Sequence, residues 1–417
     1  YEISACLVGS EMCIRDSRDT LVRKVARKES NGEISLLIDD EVASRWLIKS
    51  STISVTKEVK KYIAQNPASV PQKLKDASEI EVSFAISVND KGELHKVENA
   101  VAYTFLPTSY GNLGAPFLIN SNFITDAGRQ QLQQDSEWNK LIFKEAPGLY
   151  LRWIAELSHT YKTYHRVLPS KVAKVNDELT KTFQKALLQA IEEIAFLPAA
   201  KSNSLLKASE AWIDSVGISE VISIDKFINH IETSEQKHFA NNGQIVNAGI
   251  SILNSYGVFV FSEDLLPNLF DNQNVFSSLS VEQDLKVINF LHELCNRVNN
   301  SEILSILSNT PFILDENRNA NKPSQMFFPS DYKSENELAE EVIMMAQSIY
   351  DYYKKQSESI EWFQKLGVQE LDESSYVEDL FKHPDVVTEE NAVVYGRFLF
   401  KCYQKGNHFE SISGSNL

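Results

Sequence analysis

The spacing of apolar residues changes near residue 136, and this change limits the folds that the chain can adopt. In several stretches between residues 18 and 135, apolar side chains recur at every second position, most regularly in Glu81–Val88. This period is typical of strands with one buried face. Beyond 136 the spacing becomes helical, and it predicts helices at Leu149–Val167 and Asn176–Phe196. The chain is therefore expected to be α+β, with an N-terminal α/β layer domain of mostly antiparallel sheet followed by α-rich modules.

Turn residues divide the N-terminal part into separate strands. Asn31-Gly32 predicts a hairpin turn between strands at Leu21–Lys28 and Ile34–Ile38, because this dipeptide tolerates the positive φ angles that such turns need. Asn89–Gly92 predicts a second turn, which returns the chain toward a strand that begins at Val101. The other elements expected here are a strand at Arg45–Val55 and a short helix at Lys57–Ala64.

Two serines mark the starts of further helices. Ser280 with Gln283, and Ser334 with Glu337, match the capping box, in which each side chain accepts a hydrogen bond from the backbone N–H of the other residue. These pairs predict helices at 281–298 and 335–355.

The helical part contains the same three landmarks twice and in the same order, which predicts a duplicated α-rich module. The copies are Ala195–Pro198, Lys207–Ser209 and Gly217-Ile218, then Pro311–Leu314, Lys322–Ser324 and Gly367-Val368. The first two landmarks keep almost the same spacing in both copies. The third does not, so the second copy would carry an inserted helix. A chance recurrence of loop residues is the alternative explanation. The expected domains are 18–150, 151–310 and 311–417.

The stretch from Val101 to Trp153 carries the candidate site. Its first strand would present one face, formed by Val101, Tyr103 and Phe105. Thr125 and Asp126 then offer N-caps for a polar helical turn around Arg129. Arg129 and Gln133 lie four residues apart, so they would share one face of such a helix. A cation and an amide would then project together from the mouth of the sheet.

The same stretch resembles the sacsin-type segment that follows a Bergerat (GHKL) ATP-binding fold in large multidomain proteins. The resemblance covers residues 35–160 and rests on Phe105–Thr108, Pro116–Asn120, Phe123, Gly128-Arg129, Leu132 and Trp138-Asn139. Within it, Gly128–Gln133 is similar to the Ser-Arg-x-x-Leu-Gln loop of the ninety-kilodalton heat-shock chaperones, with Gly128 at the position of the Ser. In those chaperones the Arg and the Gln reach the terminal phosphate of a nucleotide. The resemblance therefore implies that Arg129 and Gln133 are catalytic residues acting on nucleotide held by an upstream domain.

The resemblance also implies what the whole protein does. The chain would be a fragment of a sacsin-like ATP-binding protein, and its coupling domain would complete an upstream GHKL ATPase site and transmit conformational change, in a chaperone-like or defence-type role. ATP and Mg would belong to the full-length protein. No cofactor is expected within this chain, since its sequence has neither a P-loop nor the Glu/Asn helix and glycine-rich lid of a Bergerat fold. The expected partners are the upstream ATP-binding domain of the same protein and protein clients.

Several alternatives remain open. The chain as a whole would otherwise be a non-catalytic helical scaffold for protein–protein interaction. Arg129 would otherwise be a surface residue that caps the loop or pairs with Asp126 or Asp135, and Gln133 would be solvated. Trp138-Asn139 is expected to anchor the loop rather than to touch a ligand.

Composition narrows the remaining classes. The 41 Lys and Arg residues against 57 Asp and Glu give a net charge of −16, which argues against a general nucleic-acid-binding surface. No apolar run approaches the ~18 residues of a membrane-spanning helix, so no membrane association is expected. The four cysteines include no CxxC pair, which predicts a reducing, cytoplasmic environment and no zinc site.

Residues 1–17 differ from the rest of the chain. Cys6–Ser17 (CLVGSEMCIRDS) resembles a translated sequencing adapter. The segment is therefore expected to be an artefactual or disordered leader outside the fold. A signal peptide is the alternative, but the segment has neither a basic start nor a long apolar core.

Overall fold

In the computed structural model the chain divides into two units, of which the first combines Tyr1–Ser215 with Ile231–Phe261 and the second combines Val216–His230 with Ser262–Leu417. It describes residues 14–15, 20–21, 25–30, 32–68, 70–111, 113–172, 175, 177–235, 237–241, 247–272, 274–298, 301–329, 343–370, 387–389 and 392–404. The α+β class is confirmed, with a mostly antiparallel sheet followed by helices. The division at 150 and 310 stays a prediction.

The first unit contains fifteen described strands and, among the described helices, five that lie wholly within it. Its strands are β1 Ile14–Arg15, β2 Thr20–Leu21, β3 Val25–Ser30, β4 Glu33–Ile38, β5 Glu41–Ser54, β6 Glu79–Val88, β7 Leu94–His95, β8 Ala102–Thr104, β9 Leu106–Pro107, β10 Leu118–Ser121, β11 Leu197–Pro198, β12 Leu205–Leu206, β13 Ala211–Asp214, β14 His238–Phe239 and β15 Phe259–Phe261. Its helices are α1 Lys57–Gln65, α2 Gln72–Lys75, α3 Glu137–Ser158, α4 Glu178–Glu193 and α6 Asn247–Ser255, while α5 Ile224–Glu235 contributes residues to both units.

The second unit is mainly helical where it is described. Its remaining helices are α7 Leu266–Phe270, α8 Val281–Val298, α9 Ser301–Ser308, α10 Gln347–Tyr353, α11 Ser357–Leu366 and α12 Ala392–Gln404, and its strands are β16 Ile313–Leu314 and β17 Ala320–Asn321. The capping box at Ser280 is confirmed, because Ser280 N donates to Gln283 Oε1 at 3.0 Å and Gln283 N donates to Ser280 Oγ at 3.2 Å. The predicted box at Ser334 and Glu337 lies outside the described residues. The helix predicted at 335–355 is wrong over 343–346, because Met344 and Met345 form β-bridges there and α10 begins only at Gln347.

A large sheet organises the first unit. Its strand order is β3-β4-β5-β6-β10-β8-β9, with β7 also on β6, and every pairing is antiparallel except β10 with β8. The hairpin predicted at Asn31-Gly32 is confirmed by the register Ser30↔Glu33, although Asn31 itself lies outside the described residues. Of the leader at 1–17, only Ile14–Arg15 is described, and it pairs with Thr20–Leu21.

Helix α3 begins earlier than its apolar spacing predicts. The predicted helix was Leu149–Val167, whereas α3 runs from Glu137 to Ser158 and a separate 3₁₀ turn occupies Tyr164–Val167. Pro147 and Gly148 lie inside α3, although both residue types ordinarily end helices. The sequence therefore did not predict the first half of α3. The helix nevertheless forms, because Pro147 is buried with the apolar residues that surround it in the core. Helix α4 matches its prediction within a few residues.

The two similar series of residues adopt the same local fold. In what we call the first copy (196–261), Phe196 N donates to Leu206 O at 3.1 Å where β11 pairs with β12. In the second copy (312–369), Phe312 N donates to Asn321 O at 3.2 Å where β16 pairs with β17. A 3₁₀ turn follows each hairpin, at Ala208–Glu210 and at Pro323–Gln325. The hairpin and the turn are therefore duplicated as predicted.

Each copy then places one short extended segment between two parallel partners. In the first copy, β13 lies between β14 and β15, with Trp212 opposite Phe239 and Phe259. In the second copy, Phe327 forms parallel bridges with Met344 and Gln369. The duplication thus extends to long-range pairing, which a chance recurrence of loop residues does not produce.

The third landmark corrects the sequence-based alignment of the copies. Gly367 corresponds to Gly257 rather than to Gly217, since Gly257 (φ 97°) and Gly367 (φ 104°) each follow a helix and lie two residues before the last parallel partner. Gly217 (φ 89°) instead precedes a 3₁₀ turn at Ile218–Glu220. The inserted helix inferred from pairing Gly217 with Gly367 is therefore wrong.

Candidate functional site

The Arg129 loop (126–131) is the tip of a small hairpin, not a helical turn. Thr125 forms an antiparallel bridge with Leu132, and Asp126 N donates to Gln131 O at 2.9 Å. The Asp126 carboxylate accepts hydrogen bonds from the N–H groups of Gln130 (3.0 Å) and Gln131 (3.3 Å). A side chain that binds local N–H groups in this way competes with helix formation. The predicted helical turn around Arg129 is therefore wrong, and so is the shared helix face of Arg129 and Gln133.

Arg129 lies exposed at the tip of this loop. Its backbone has a φ of 57°, and its N–H donates to Asp126 O at 3.1 Å. Its guanidinium makes no hydrogen bond or ion pair with any residue that the structure describes, so the alternative pairing with Asp126 or Asp135 is not observed. The carboxylate of Asp126 is already engaged by the loop backbone. The cation is thus held out from the fold without an internal counter-charge.

Gln133 lies at the base of the hairpin rather than beside Arg129 on a helix. Its backbone N–H donates to Ile124 O at 3.0 Å, and its Nε2 donates to Thr125 O at 3.1 Å. The side chain is half-buried. Its amide therefore fastens one strand of the hairpin to the other.

The N-terminus of α3 fixes the hairpin to the core. The fully buried Asn139 donates from Nδ2 to Ile124 O (2.7 Å) and to Gln133 O (3.0 Å), and its Oδ1 accepts from Ile124 N (2.9 Å). Trp138 Nε1 donates to Asn122 O at 2.8 Å. The predicted anchoring role of Trp138-Asn139 is confirmed by these contacts. The base of the hairpin is therefore rigid, and only its tip is exposed.

An exposed apolar pair lies next to the Arg129 loop. Phe105 forms the tight turn between β8 and β9 and Leu106 begins β9, and the two side chains are 57% and 56% exposed. Ser109, just after β9, donates from N to Gln130 O at 2.9 Å, which joins this turn to the Arg129 loop. Phe105 has a φ of 70°, so it leaves the strand face that its spacing from Val101 predicts. The sequence signal for this turn was the Leu-Pro that follows Phe105.

Other kinds of site find little support in the part of the chain that the structure describes. No group of three or more His, Cys, Asp or Glu side chains there could hold a metal ion, and no helix there is long and apolar enough to cross a membrane. No family model, curated protein or solved structure matches the chain. The function must therefore be argued from the residues and their geometry.

Proposed function

We propose that this chain couples an upstream GHKL ATP-binding domain of the same sacsin-like protein to the modules that follow, with Arg129 completing the ATP site. In this proposal the upstream domain holds ATP and Mg, and the full-length protein is a cytoplasmic, chaperone-like or defence-type switch that acts on protein clients. The observation that carries the proposal is the exposed Arg129 guanidinium, which no described residue neutralises, at the tip of an anchored hairpin.

The chemistry of arginine fits this role. A guanidinium remains charged at physiological pH and binds phosphate oxygens through two parallel N–H donors. An arginine supplied by a second domain stabilises the charge that develops on a phosphoryl group during transfer. Anchoring of the loop by Asn139 reduces the conformational entropy lost when the cation meets its phosphate.

Gln133 supports the same site from the base of the hairpin. The resemblance gives it the role of orienting the attacking water, but its Nε2 donates to Thr125 O. We therefore assign it a positioning role, in which it keeps the strands of the hairpin together beneath Arg129. Loss of its amide would displace the guanidinium without removing any charge.

The exposed Phe105-Leu106 pair supplies the contact surface for the upstream domain in this proposal. It is linked to the Arg129 loop through the bond from Ser109 to Gln130, so a body that contacts Arg129 also reaches this turn. Aromatic and aliphatic side chains beside a charged residue are common at the centre of interfaces, where they exclude water from polar contacts.

The test is steady-state ATP turnover of the full-length protein with Arg129→Ala. Turnover should fall at least about tenfold while nucleotide affinity stays the same, because the arginine acts on charge that appears only in the transition state. Arg129→Lys should not restore turnover, since an ammonium lacks the planar pair of donors. The matched control is Arg152→Ala, at an exposed arginine of α3, which should leave turnover unchanged. Unchanged turnover in Arg129→Ala would reject the proposal and favour the helical scaffold.

A further inference from the structure

A polar cavity of about 510 Å³ lies in the first unit, away from the Arg129 loop. It is formed by the C-terminal end of α3, the 3₁₀ turn Tyr164–Val167, the loop between β11 and β12, and Asn241. Its volume falls within the roughly 300–1,000 Å³ of small-molecule sites. The sequence showed no sign of it, because its residues come from separate segments with no common motif.

The charge of this cavity is opposite to that of the chain. Lys162, Lys201 and His159 line it, and none of its described lining residues carries a carboxylate. The chain as a whole has a net charge of −16. A basic concave surface within an acidic protein concentrates anions there and repels them elsewhere.

The second copy of the module shows what occupies the equivalent place there. The bridge Asp315↔Met345 corresponds to the bridge Ala199↔Ala240 of the first copy. Glu316 follows Asp315 directly, and its side chain reaches the segment that contains Met345. There its Oε1 accepts a hydrogen bond from Gln347 N at 2.7 Å. The second copy thus supplies its own carboxylate at this point.

At the corresponding described position, the first copy has an alanine instead of this glutamate. Ala200 corresponds to Glu316 and Asn241 to Ala346, as the bonds from Asn241 N to Pro198 O (2.8 Å) and from Ala346 N to Leu314 O (2.9 Å) show. Both Ala200 and Asn241 line the cavity. Where the second copy has an acidic side chain, the first copy has a methyl group and a basic cavity.

We propose that this cavity binds a small molecule through an oxyanion, a carboxylate or a phosphate, which takes the place that the Glu316 carboxylate has in the second copy. Lys162 and Lys201 supply the positive charge, and their ammonium groups donate hydrogen bonds to the anion. The ligand therefore stabilises the first copy in the way that the second copy stabilises itself. This site is independent of the ATP chemistry proposed for Arg129.

The test is titration calorimetry of the full chain at low salt, with inorganic phosphate and citrate as separate probes. At least one probe should bind saturably, with a Kd below about 1 mM. Binding of phosphate alone would identify a phosphate-bearing ligand, and binding of citrate alone a carboxylate-bearing one. If neither probe binds saturably up to about 10 mM, the proposal is overturned.

Three variants localise the binding. Ala200→Glu places the carboxylate of the second copy into the cavity and should abolish binding while raising the melting temperature. Lys162→Ala should weaken binding about tenfold, the usual effect of losing one charge-assisted hydrogen bond. Lys162 is exposed, so this variant should fold even if Ala200→Glu does not. Lys185→Ala, at an exposed lysine of α4 outside the cavity, is the control and should bind normally. Binding that survives both Ala200→Glu and Lys162→Ala would show an adventitious anion elsewhere and overturn the proposal.

Discussion

The side-chain amide of Asn139 pairs with both backbone groups of Ile124, donating to its carbonyl at 2.7 Å and accepting from its N–H at 2.9 Å. The amide thus makes the two hydrogen bonds that a neighbouring strand would make. A third bond joins its Nδ2 to Gln133 O at 3.0 Å. Both ends of the hairpin that carries Arg129 are therefore held by one buried side chain. The stability of the fold and the position of the candidate catalytic residue depend on the same group.

Asn139→Ala should lower the free energy of unfolding by about 3 kcal/mol, because Ile124 N and Gln133 O lose their partner while Ile124 O keeps only the bond from Gln133 N. It should also loosen the Arg129 loop, so that trypsin cleaves after Arg129 faster than in the parent chain. Denaturant unfolding and limited proteolysis measure the two effects. Asn309→Ala is the control, since its exposed amide bonds only to Ser305 O, and it should stay within about 1 kcal/mol. Unaltered cleavage at Arg129 would contradict the anchoring role.

Gly114→Ala should be far more destabilising than Gly92→Ala, although both glycines have a φ of +74°. At Gly114 a Cβ would lie 2.5 Å from Ser170 O and 2.8 Å from a methyl group of Val172, whereas no atom of the described residues lies within 4 Å of a Cβ at Gly92. Gly92→Ala adds only the backbone strain of about 1 kcal/mol. Gly114→Ala adds the clash as well, for a total of about 3 kcal/mol or more. Thermal melts of the two variants give the comparison, and equal losses would contradict it.

The sequence predicted best the elements that depend on local pattern alone. The alternation in Glu81–Val88 correctly predicted β6, and the pair of Ser280 and Gln283 correctly predicted the start of α8. Both patterns involve residues only a few positions apart. Helix α3 was misplaced because the packing around Pro147 outweighs the low helix propensity of that residue. The predictions were right where the deciding interactions join residues close in sequence, and wrong where they join residues far apart in the chain.

The candidate site was predicted only in part. Arg129 and its anchor at Trp138-Asn139 were recognised from their residue types, but the loop conformation was not. The hydrogen bonds that the backbone N–H groups of Gln130 and Gln131 donate to Asp126 decide that conformation, and the spacing of apolar residues does not reveal them. The basic cavity was not predicted at all. Its proposed role depends on the correspondence of Ala200 with Glu316, which follows from the equivalent β-bridges of the two copies.

Asp284 should make the second unit less stable as the pH rises from about 4 to about 8. The side chain is fully buried, and burial raises the pKa of its carboxyl from 3.8 to about 8. The folded state therefore keeps its proton at pH values where the unfolded state has released it. Below about 4 both states are protonated, so the free energy of unfolding falls only between the two pKa values and levels off above about 8.

Asp284→Asn tests this expectation. An amide can keep the hydrogen bond that Leu314 N donates to Asp284 Oδ2 at 3.3 Å, and it does not titrate. The variant should therefore melt at a higher temperature than the parent chain at pH 8.5, with the difference shrinking toward pH 4. Asp271→Asn, at an exposed carboxylate, is the control and should show no such trend. Melting curves that stay parallel for Asp284→Asn across this range would show that the carboxyl is not protonated in the fold.

The last prediction separates interface from stability at Phe105. This residue is 57% exposed and has a φ of 70°, a conformation that costs a residue with a Cβ about 1 kcal/mol and costs glycine little. Phe105→Gly removes the strain together with the ring, while glycine adds entropy to the unfolded chain, so the free energy of unfolding should change by less than about 1 kcal/mol. If Phe105 contacts the upstream domain as proposed, ATP turnover of the full-length protein should fall at least about fivefold, since losing an aromatic contact at the centre of an interface costs more than about 1 kcal/mol. Leu188→Gly would disturb its helix, so the control is Leu188→Ala, at another exposed apolar residue of the first unit, and it should leave turnover unchanged. Normal turnover in Phe105→Gly would remove this turn from the interface without affecting the case for Arg129, whereas a fall in turnover with unchanged melting would place both on one contact surface.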